Sequence, residues 1–415
     1  MRWKAGIKAE SKAEFKVERR ERGRVMIRDE IRNHLTDCII PFWKKLRDDE
    51  YGGYYGYMDY GLKVDRKAVK GCILNSRITW FFANAYLVLK EEALLEEARH
   101  GYEFMQKYCV DQEKGGVYWS VAYDGTPEDT TKHTYNQAFS IYALSSYYDA
   151  SGERKALDMA FELFRIIEER CTDEIGYKEA FDRNFQEIEN DKLSENGVIA
   201  EKTMNTLLHV FEAYTELYRV SGDARVKERL KWILDTIADK IYNPELHRQE
   251  VFFDREMHSI IDLHSYGHDI ETAWLIRRGT DVLGEKEYEE KMLPIILDLT
   301  KQVYATAFDG QSLANECERG VVDETRVWWV QAEAIVGFLN AYALAPEHTE
   351  YLDAARAEWL FIKEHLVDRR EGSEWFWDVN QEGEAVSGKP IVEPWKCPYH
   401  NGRMCLEVIR RSPEV

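Results

Sequence analysis

Long hydrophobic runs are missing from this 415-residue sequence. No stretch approaches the roughly 18 uninterrupted apolar residues that a membrane-spanning helix needs, so we expect no membrane partner. The 7 cysteines are scattered and include no C-x-x-C pair. Such spacing is typical of reduced thiols and argues against a zinc or redox centre. We therefore expect a cytoplasmic protein that holds no metal.

Motifs for cofactor binding and for serine nucleophiles are also absent. The sequence contains no G-x-G-x-x-G after a strand and no G-x-x-x-x-G-K-[ST], so neither a dinucleotide site nor a P-loop is indicated. It has no G-x-S-x-G elbow either. The chemistry that remains is acid–base catalysis by histidine and glutamate, for which we expect no cofactor.

Basic residues are outnumbered by acidic ones, with 56 Lys or Arg against 76 Asp or Glu, which gives a formal net charge of −20. Nucleic acids and anionic membranes need a basic surface, so this balance argues against both as partners. Residues 1–25 are the exception, with nine Lys or Arg against four Asp or Glu and no apolar segment of a signal peptide. We expect residues 1–25 to be a frayed or non-native extension, and residues 26–415 to form a single catalytic domain.

A repeat of about sixty residues is the main positive feature. Six times, a short aromatic segment, usually with glycine, leads into an amphipathic helix that begins with polar residues. Self-similarity at such a period predicts equivalent supersecondary units rather than unrelated lobes. The segments cover residues 52–55, 115–119, 176–181, 250–254, 310–313 and 372–377, and the helices are predicted to begin at Arg77, His133, Lys202, His268, Trp328 and His400.

Each unit has room for a second, more charged helix, such as 94–107, 155–169 or 226–240, whose apolar residues recur at helical spacing. Six pairs predict an all-α fold, an (α/α)6 barrel of six inner and six outer helices, with short hairpins at the active-site end. A closed barrel does not require a partner, so we expect a monomer. The helix starts should gather one group of residues around a cleft: Arg77, His133, His209, His268, Trp329 and His400.

Two histidines at equivalent helix starts are candidates for acid–base work. His268 has Glu271 three residues further on, where the carboxylate can orient the imidazole or raise its pKa. His400 follows Pro398, which places it at a loop-to-helix junction. His264 and His268 have a spacing that could hold zinc, but a third ligand is missing, so we interpret His264 as structural.

Other polar pairs have alternative interpretations. Asn205 and His209 lie four residues apart on a helix of core residues, so His209 could equally be a satisfied interior histidine. Glu333 shares a face with Trp329 and is either an ion-pair member or a support for a histidine. The aromatic residues of the turns are typical of a surface for stacking sugar rings, unless they belong to the core. These are Tyr54, Trp119, Trp329, Trp375, Trp377 and Trp395.

At this level of detail the sequence resembles a known family. The segments RITWFFANAY, KHTYNQAFSIYALSSYY, LSENGVIAEKTMNTLLH, HSYGHDIETAWL, VWWVQAEAIVGF and PWKCPYHNGRMCLEVI occur in the order found in cellobiose 2-epimerases. These enzymes belong to the N-acylglucosamine 2-epimerase superfamily, whose fold is an (α/α)6 barrel. The resemblance extends from about Met26 to Ile409.

The resemblance implies epimerisation at C2 of the reducing-end glucose of β-1,4-linked disaccharides, through ring opening and a cis-enediolate. It places the two catalytic histidines at His268 and His400, without telling which one abstracts the proton. Other implied catalytic positions are Arg77, His209, Glu271 and Glu333. Implied substrate-binding positions are Trp274, Trp329 and Trp395, and we also expect Tyr135 and Asn205 to bind the substrate.

Two rival functions stay open from the sequence. An (α/α)6 glycoside hydrolase would need two carboxylates on either side of a glycosidic bond, for which Glu271 and Glu333 are the candidates. An aldose–ketose isomerase of the mannose type differs only in the carbon to which the proton returns.

Overall fold

The computed structural model describes residues 27–193, 196–386 and 388–411. The predicted basic extension, residues 1–25, lies outside this part of the chain. Within the described residues, six inner helices form a closed ring in which each packs on the next and the last packs on the first. The inner helices are α2 (Cys72–Leu89), α4 (Thr134–Ser151), α6 (Met204–Ser221), α8 (Tyr266–Leu283), α10 (Trp328–Leu344) and α12 (His400–Arg410).

Six outer helices surround this ring, and the predicted (α/α)6 barrel is thereby confirmed. Four of them contain or end in a π-helical turn. The outer helices are α1 (27–34, Leu35–Ile39 and Ile40–Lys44), α3 (Glu92–Phe104 and Met105–Cys109), α5 (Arg154–Arg170), α7 (Ala224–Thr236 and Ile237–Ile241), α9 (Lys286–Thr306) and α11 (Thr349–Phe361 and Ile362–Leu366).

The sixth helix pair is formed differently from the other five. No outer helix follows α12 in the described chain; instead α1, from the N-terminal side of the chain, packs against it. The barrel is thus closed by segments from opposite ends of the sequence. The order of the repeat, in which each inner helix is followed by its outer helix, would place the outer partner of α12 after α12. In the structure, that partner is α1, which precedes the first aromatic segment.

Inner helices are apolar around most of their circumference because they contact neighbours on both sides and an outer helix behind. In α2, for example, every residue from Cys72 to Ala85 is buried. Outer helices such as α5 bury one face, along Leu157, Ala160 and Phe164, and expose the rest. The two burial patterns match the expected difference between inner and outer layers.

The aromatic segments form tight turns between each outer helix and the following inner helix, as predicted. An antiparallel bridge closes each turn, for example Val110 with Val117 and Val367 with Trp375. Short strands also lie in these connections between outer and inner helices. They are β1 (Lys70–Gly71), β2 (Ser120–Val121), β3 (Pro127–Asp129), β4 (Lys132–His133), β5 (Ala180–Phe181), β6 (Lys202–Thr203), β7 (Tyr242–Asn243), β8 (Arg248–Gln249), β9 (Phe252–Phe253), β10 (Leu263–Ser265), β11 (Glu316–Glu318), β12 (Val321–Asp323), β13 (Arg326–Val327) and β14 (Asp378–Val379).

These strands pair antiparallel into small sheets at one end of the barrel. Two sheets have three strands, in the orders β1-β2-β3 and β10-β11-β12. The other pairs are β4-β5, β6-β9, β7-β8 and β13-β14. All of the sheets border the end at which the inner helices begin, so they build the walls of any site located there.

A buried cation two residues before an inner helix fixes several of these turns. Lys132 donates to Asp111 at 3.1 Å, and the other Asp111 oxygen accepts the backbone N–H groups of Glu113 and Lys114. Lys70 with Asp48 and Arg326 with Asp309 repeat the arrangement. Each such carboxylate holds both the turn and the start of the helix.

Candidate active site

A cavity of about 370 Å³ opens at the end of the barrel where the inner helices begin. Its volume lies within the range of small-molecule sites. Nine of the eleven predicted site residues line it: Arg77, Tyr135, Asn205, His209, His268, Glu271, Trp329, Trp395 and His400.

The two remaining predicted residues, Glu333 and Trp274, are not among the lining residues. Both are buried, and the Trp274 indole N–H donates to Glu333 Oε2 at 2.8 Å. Trp274 therefore supports a carboxylate beneath the cavity, a position that does not fit the expected contact with a sugar. His133 also fails to line the cavity, because it is covered by the Trp119 ring, whose centroid is 4.7 Å away.

Helix starts differ from the prediction in one functionally relevant case. Helix α2 begins at Cys72 rather than at Arg77, because the strand before it ends at Gly71 and nothing in the following residues interrupts a helix. Arg77 consequently lies in the second turn, deeper in the barrel, and is only 2% exposed.

His400 stands at the first position of α12 and is held through one ring nitrogen. Its Nδ1 lies 2.8 Å from Glu333 Oε1. The same carboxylate accepts hydrogen bonds from Arg403 on Oε1 and from Trp274 on Oε2. Because both of those groups can only donate, Glu333 acts as an acceptor toward the imidazole as well. The predicted support of a histidine by Glu333 is therefore present, and Nε2 is the nitrogen left for the cavity.

His268 is held by a different kind of partner from the predicted one. Its Nδ1 lies 2.7 Å from Ser265 Oγ, at the end of β10. Glu271, which we expected to orient this ring, is bound to Arg403 instead. The geometric reason is that α8 turns the Glu271 side chain toward α12, whereas Ser265 precedes the helix and reaches back to the ring.

The environment keeps both imidazoles neutral. Burial, together with the nearby His209, lowers the pKa of His268 to about 3. The pKa of His400 is well below its ordinary value, first because of burial and then because of the cations Arg403 and Arg77. A neutral imidazole is the form that accepts a proton, so both rings are in the state required of a base.

One buried arginine connects the carboxylates under the cavity. Arg403, 1% exposed, binds Glu212, Glu271 and Glu333 through its two terminal nitrogens. Its guanidinium also lies over the Trp274 ring, 4.8 Å from the centroid. Because a cation stabilises buried carboxylates, Arg403 makes this acidic cluster possible in a low-dielectric interior.

One candidate metal-ligand group within the described residues coincides with this cluster. Atoms of Glu271, Glu333 and His400 lie within 4.8 Å of one another. Arg403 already provides the positive charge at the two carboxylates, and His400 is engaged with Glu333 through Nδ1. These contacts fit an ion cluster of the protein itself.

Arg77 is a second buried cation, but its partners are not acidic. It donates to the Tyr135 hydroxyl at 2.8 Å, and its guanidinium lies 4.1 Å from the Phe139 centroid and 4.9 Å from that of Tyr399. No carboxylate within the described residues forms an ion pair with it. A lining cation without an anion is suited to an anion that forms during a reaction.

His209 belongs to a neighbouring hydrogen-bonded group. Its Nδ1 lies 2.9 Å from Glu212 Oε2, which also accepts the Tyr399 hydroxyl. Burial raises the pKa of Glu212, but the Arg403 charge together with the hydrogen bonds from His209 and Tyr399 lowers it to about 2. His209 is thus fixed by a permanent anion, while the ring itself lines the cavity.

Aromatic residues of the turns divide into two groups. Trp329, Trp377 and Trp395 line the cavity, as expected of a sugar-stacking surface. Tyr54 and Trp375 do not: both are fully buried, and Tyr54 donates to Glu97 while Trp375 donates to His34. For these two, the core interpretation is correct, since the turns press them against outer helices.

Sequence reasoning missed Arg403, Glu212, Tyr399 and Ser265. Arg403 lies three residues after His400, on the same face of the same helix, which is a usable sequence signal. Ser265 immediately precedes a helix, where serine is common as an N-cap residue, so the sequence alone does not indicate a contact with His268. Glu212 lies three residues after His209 and so offers the same kind of signal. Its contact with Tyr399 joins residues 187 positions apart and appears only in the structure.

Comparison with known proteins agrees with this geometry. The family model described as N-acylglucosamine 2-epimerase (GlcNAc 2-epimerase) matches residues 52–401. A cellobiose 2-epimerase from Ruminococcus albus is 50% identical over 390 residues, which cover 94% of this chain and 100% of that protein. These matches confirm the resemblance noted in the sequence.

Solved structures with the same fold are also similar in sequence. A sugar epimerase from a ruminal bacterium superposes with a TM-score of 0.92 at 50% identity, covering 93% of this chain and 99% of that one. The cellobiose 2-epimerase of Bacillus thermoamylovorans B4167 gives 0.90 at 45% identity, covering 93% and 100%. Among the described helices, none is long and apolar enough to cross a membrane.

Proposed function

Since this chain belongs to the N-acylglucosamine 2-epimerase family, we propose that it is an epimerase acting at C2 of the reducing-end glucose of β-1,4-linked disaccharides. Cellobiose would give glucosyl-mannose, and lactose would give epilactose. The observation that carries the proposal is the pair of neutral, cavity-lining histidines, His268 and His400, whose ring centroids lie 4.8 and 5.4 Å from that of Trp329.

Epimerisation by proton transfer needs either a base on each face of C2 or one base and a rotation of the intermediate within the site, and we propose the two-base route. When the sugar ring opens, the aldehyde at C1 acidifies the C2 proton. A base removes this proton and leaves a cis-enediolate, and a proton delivered to the other face of C2 inverts the centre. Two histidines on helices from different repeats, α8 and α12, supply the two-sided arrangement that this sequence of steps requires.

The partners of the two rings favour different roles. Glu333 only accepts hydrogen bonds, so the neutral His400 must donate to it and carries its proton on Nδ1. His400 then presents the lone pair of Nε2 to the substrate. We assign His400 as the base that abstracts the C2 proton of glucose. The Ser265 hydroxyl can either donate to His268 Nδ1 or accept from it, so His268 can present Nε2 with or without a proton. We assign His268 as the donor on the opposite face. It takes up a proton from solvent as the negative charge of the enediolate develops, delivers that proton to C2 as the imidazolium and returns to the neutral ring, while His400 releases the abstracted proton to solvent.

Arg77 and Glu271 suit the negative charge of the enediolate. Arg77 is a permanent cation at the cavity wall and has no competing carboxylate within the described chain. Burial, followed by the charge of Glu333, raises the pKa of Glu271 to about 8. Glu271 is therefore protonated at neutral pH, and its buried Oε2 has no hydrogen-bond partner within the described residues. In this form it can donate to a substrate oxygen.

This pKa predicts an alkaline limit to activity. Below about pH 8 Glu271 is a neutral acid, whereas above it the ionised carboxylate repels the enediolate, so kcat/KM should fall as pH rises through about 8. Glu271→Gln keeps a neutral donor at all pH values, and we expect its alkaline fall to move to higher pH. The check is kcat/KM for cellobiose between pH 5 and 10. If kcat/KM of the variant falls at the same pH as that of the wild type, the group that titrates is not Glu271.

Aromatic and polar lining residues account for sugar binding. Trp329 and Trp395 present rings on which pyranose faces can stack, and Tyr135 and Asn205 offer polar groups. His209, fixed by Glu212, adds a ring nitrogen at the same wall. Trp274 and Glu333 act from beneath, by positioning His400. The reaction needs only proton transfers, so we propose that no cofactor and no metal take part.

We also propose that the active form is a cytoplasmic monomer. The ring of inner helices is closed within one chain, and a closed barrel does not require a partner. All 7 cysteines are free, which suits a reducing compartment. Light scattering on the eluting protein tests the monomer, because a dimer would double the measured mass.

The reaction itself is tested by incubating the protein with cellobiose in D2O without added cofactor or metal. Proton NMR and chromatography should reveal glucosyl-mannose with deuterium at C2. Formation of a ketose instead would indicate that the proton returns to C1, as in an aldose–ketose isomerase. Release of free glucose would indicate hydrolysis.

The carboxylate geometry does not favour hydrolysis. Glu271 and Glu333 both bind the same nitrogen of Arg403 and have oxygens within 4.8 Å of each other. Glycosidases place the two carboxyl groups on either side of the bond, about 5–5.5 or 6.5–9.5 Å apart. Since Glu333 does not line the cavity and both carboxyl groups are bound to Arg403, they are not placed on either side of a bond held there.

A further inference from the structure

One part of the cavity wall has a polar group that the epimerisation mechanism does not use. Asp378, at the start of β14, lines the cavity beside Trp377 and Lys389. The Trp377 ring centroid lies 4.8 Å from that of Trp328, which in turn lies 6.3 Å from that of His400. Asp378 therefore belongs to a region separated from the reacting centre by aromatic rings.

The two oxygens of Asp378 have different environments. Oδ2 accepts a hydrogen bond from the Lys389 ammonium group, whereas Oδ1 is buried and has no hydrogen-bond partner within the described residues. The carboxylate is 1% exposed. A buried carboxylate oxygen without a donor is costly unless a ligand or a water supplies one.

A second carboxylate of the same wall provides the comparison. Asp323 also lines the cavity, but both of its oxygens are occupied: Oδ1 accepts from Thr325, and Oδ2 accepts from Asn315 at 2.9 Å. It has no unused acceptor of the kind found on Asp378. The difference identifies Asp378 as the acceptor that is free for a ligand hydroxyl.

We propose that Asp378 determines specificity for disaccharides by accepting, on Oδ1, a hydroxyl of the sugar that is not epimerised. The inference rests on the proposed function, since it assumes that the reducing-end sugar occupies the histidines. Lys389 positions the carboxylate from the solvent side, with 44% of its own side chain exposed. Trp377 and Trp395 provide aromatic surface for the same sugar.

The test compares a disaccharide with a monosaccharide in Asp378→Asn. A hydrogen bond to a charged acceptor is lost only when the second sugar is present, so kcat/KM for cellobiose should fall by about tenfold to hundredfold, mainly through KM. For mannose, C2 deuterium exchange should change by no more than about twofold. Asp323→Asn is the matched control, and we expect near-wild-type values with both sugars.

Two results would overturn the proposal. Equal losses on cellobiose and mannose would assign Asp378 to the fold or to the chemistry, and an unchanged KM for cellobiose would remove it from binding. Calorimetry with cellobiitol, which has no aldehyde and cannot react, tests the contact without turnover: the variant should bind it about tenfold or more weakly. If the wild type lacks epimerase activity, the proposed function fails, while this binding measurement still decides the role of Asp378.

Discussion

Replacing His400 by alanine is expected to lower kcat for cellobiose epimerisation by about 10²- to 10⁴-fold. The imidazole is the group we assign to remove the C2 proton, and its Nε2 is the nitrogen left free by Glu333. The fold should persist, because Glu333 keeps its donors Arg403 and Trp274 when the imidazole is removed. The measurements are steady-state kinetics and the thermal midpoint of unfolding.

Isotope exchange distinguishes the roles of the two histidines. In D2O, His268→Ala should still exchange the C2 proton of cellobiose, since His400 can remove it and return deuterium to the same face, but glucosyl-mannose should not form. His400→Ala should lose this exchange. Loss of exchange in both variants would contradict the two-base assignment. His258→Ala is a control, because this histidine is exposed and pairs with Asp254.

Replacing Arg403 by methionine is expected to lower the free energy of unfolding at pH 7 by about 3–5 kcal/mol. The substitution leaves Glu212, Glu271 and Glu333 buried without their shared cation. Activity should fall as well, because Glu333 loses a donor that holds it against His400. Urea denaturation followed by circular dichroism gives the change in stability.

The pH dependence of this loss has a definite sign. Arg403 lowers the pKa of all three carboxyls. Without it, the folded-state pKa of Glu212 should rise above its unfolded value, and the pKa values of Glu271 and Glu333, which burial already raises, should rise further. Folding then favours the protonated forms more strongly, so the stability deficit grows as pH rises. The deficit should therefore be smaller at pH 5 than at pH 8. Arg154→Met is the control; Arg154 pairs with Asp158 at the surface, with 70% and 61% of the two side chains exposed, and we expect a loss below about 1 kcal/mol. Equal losses in both variants would contradict the special role of Arg403.

The repeat made most of the active-site positions predictable. Because equivalent helices begin at one end of a closed barrel, residues far apart in sequence, such as Arg77, His268 and His400, had to meet there. A buried carboxylate requires a partner, so Glu333 was predicted to be either an ion-pair member or a support for a histidine; in the structure it contacts both Arg403 and His400. His133 and Trp375 were predicted to lie at the cavity, but both are buried away from it. A position near a helix start does not tell which way a side chain points.

Sequence alone determined the period, the layer to which most helices belong and the end of the barrel that carries the chemistry, because these follow from apolar spacing and from local turns. Only the tertiary structure decided which groups pair. His268 with Ser265, and Arg403 with three carboxylates from three other helices, depend on the rotation of each helix in the ring. That rotation is set by packing among all twelve described helices at once, so no single segment encodes it.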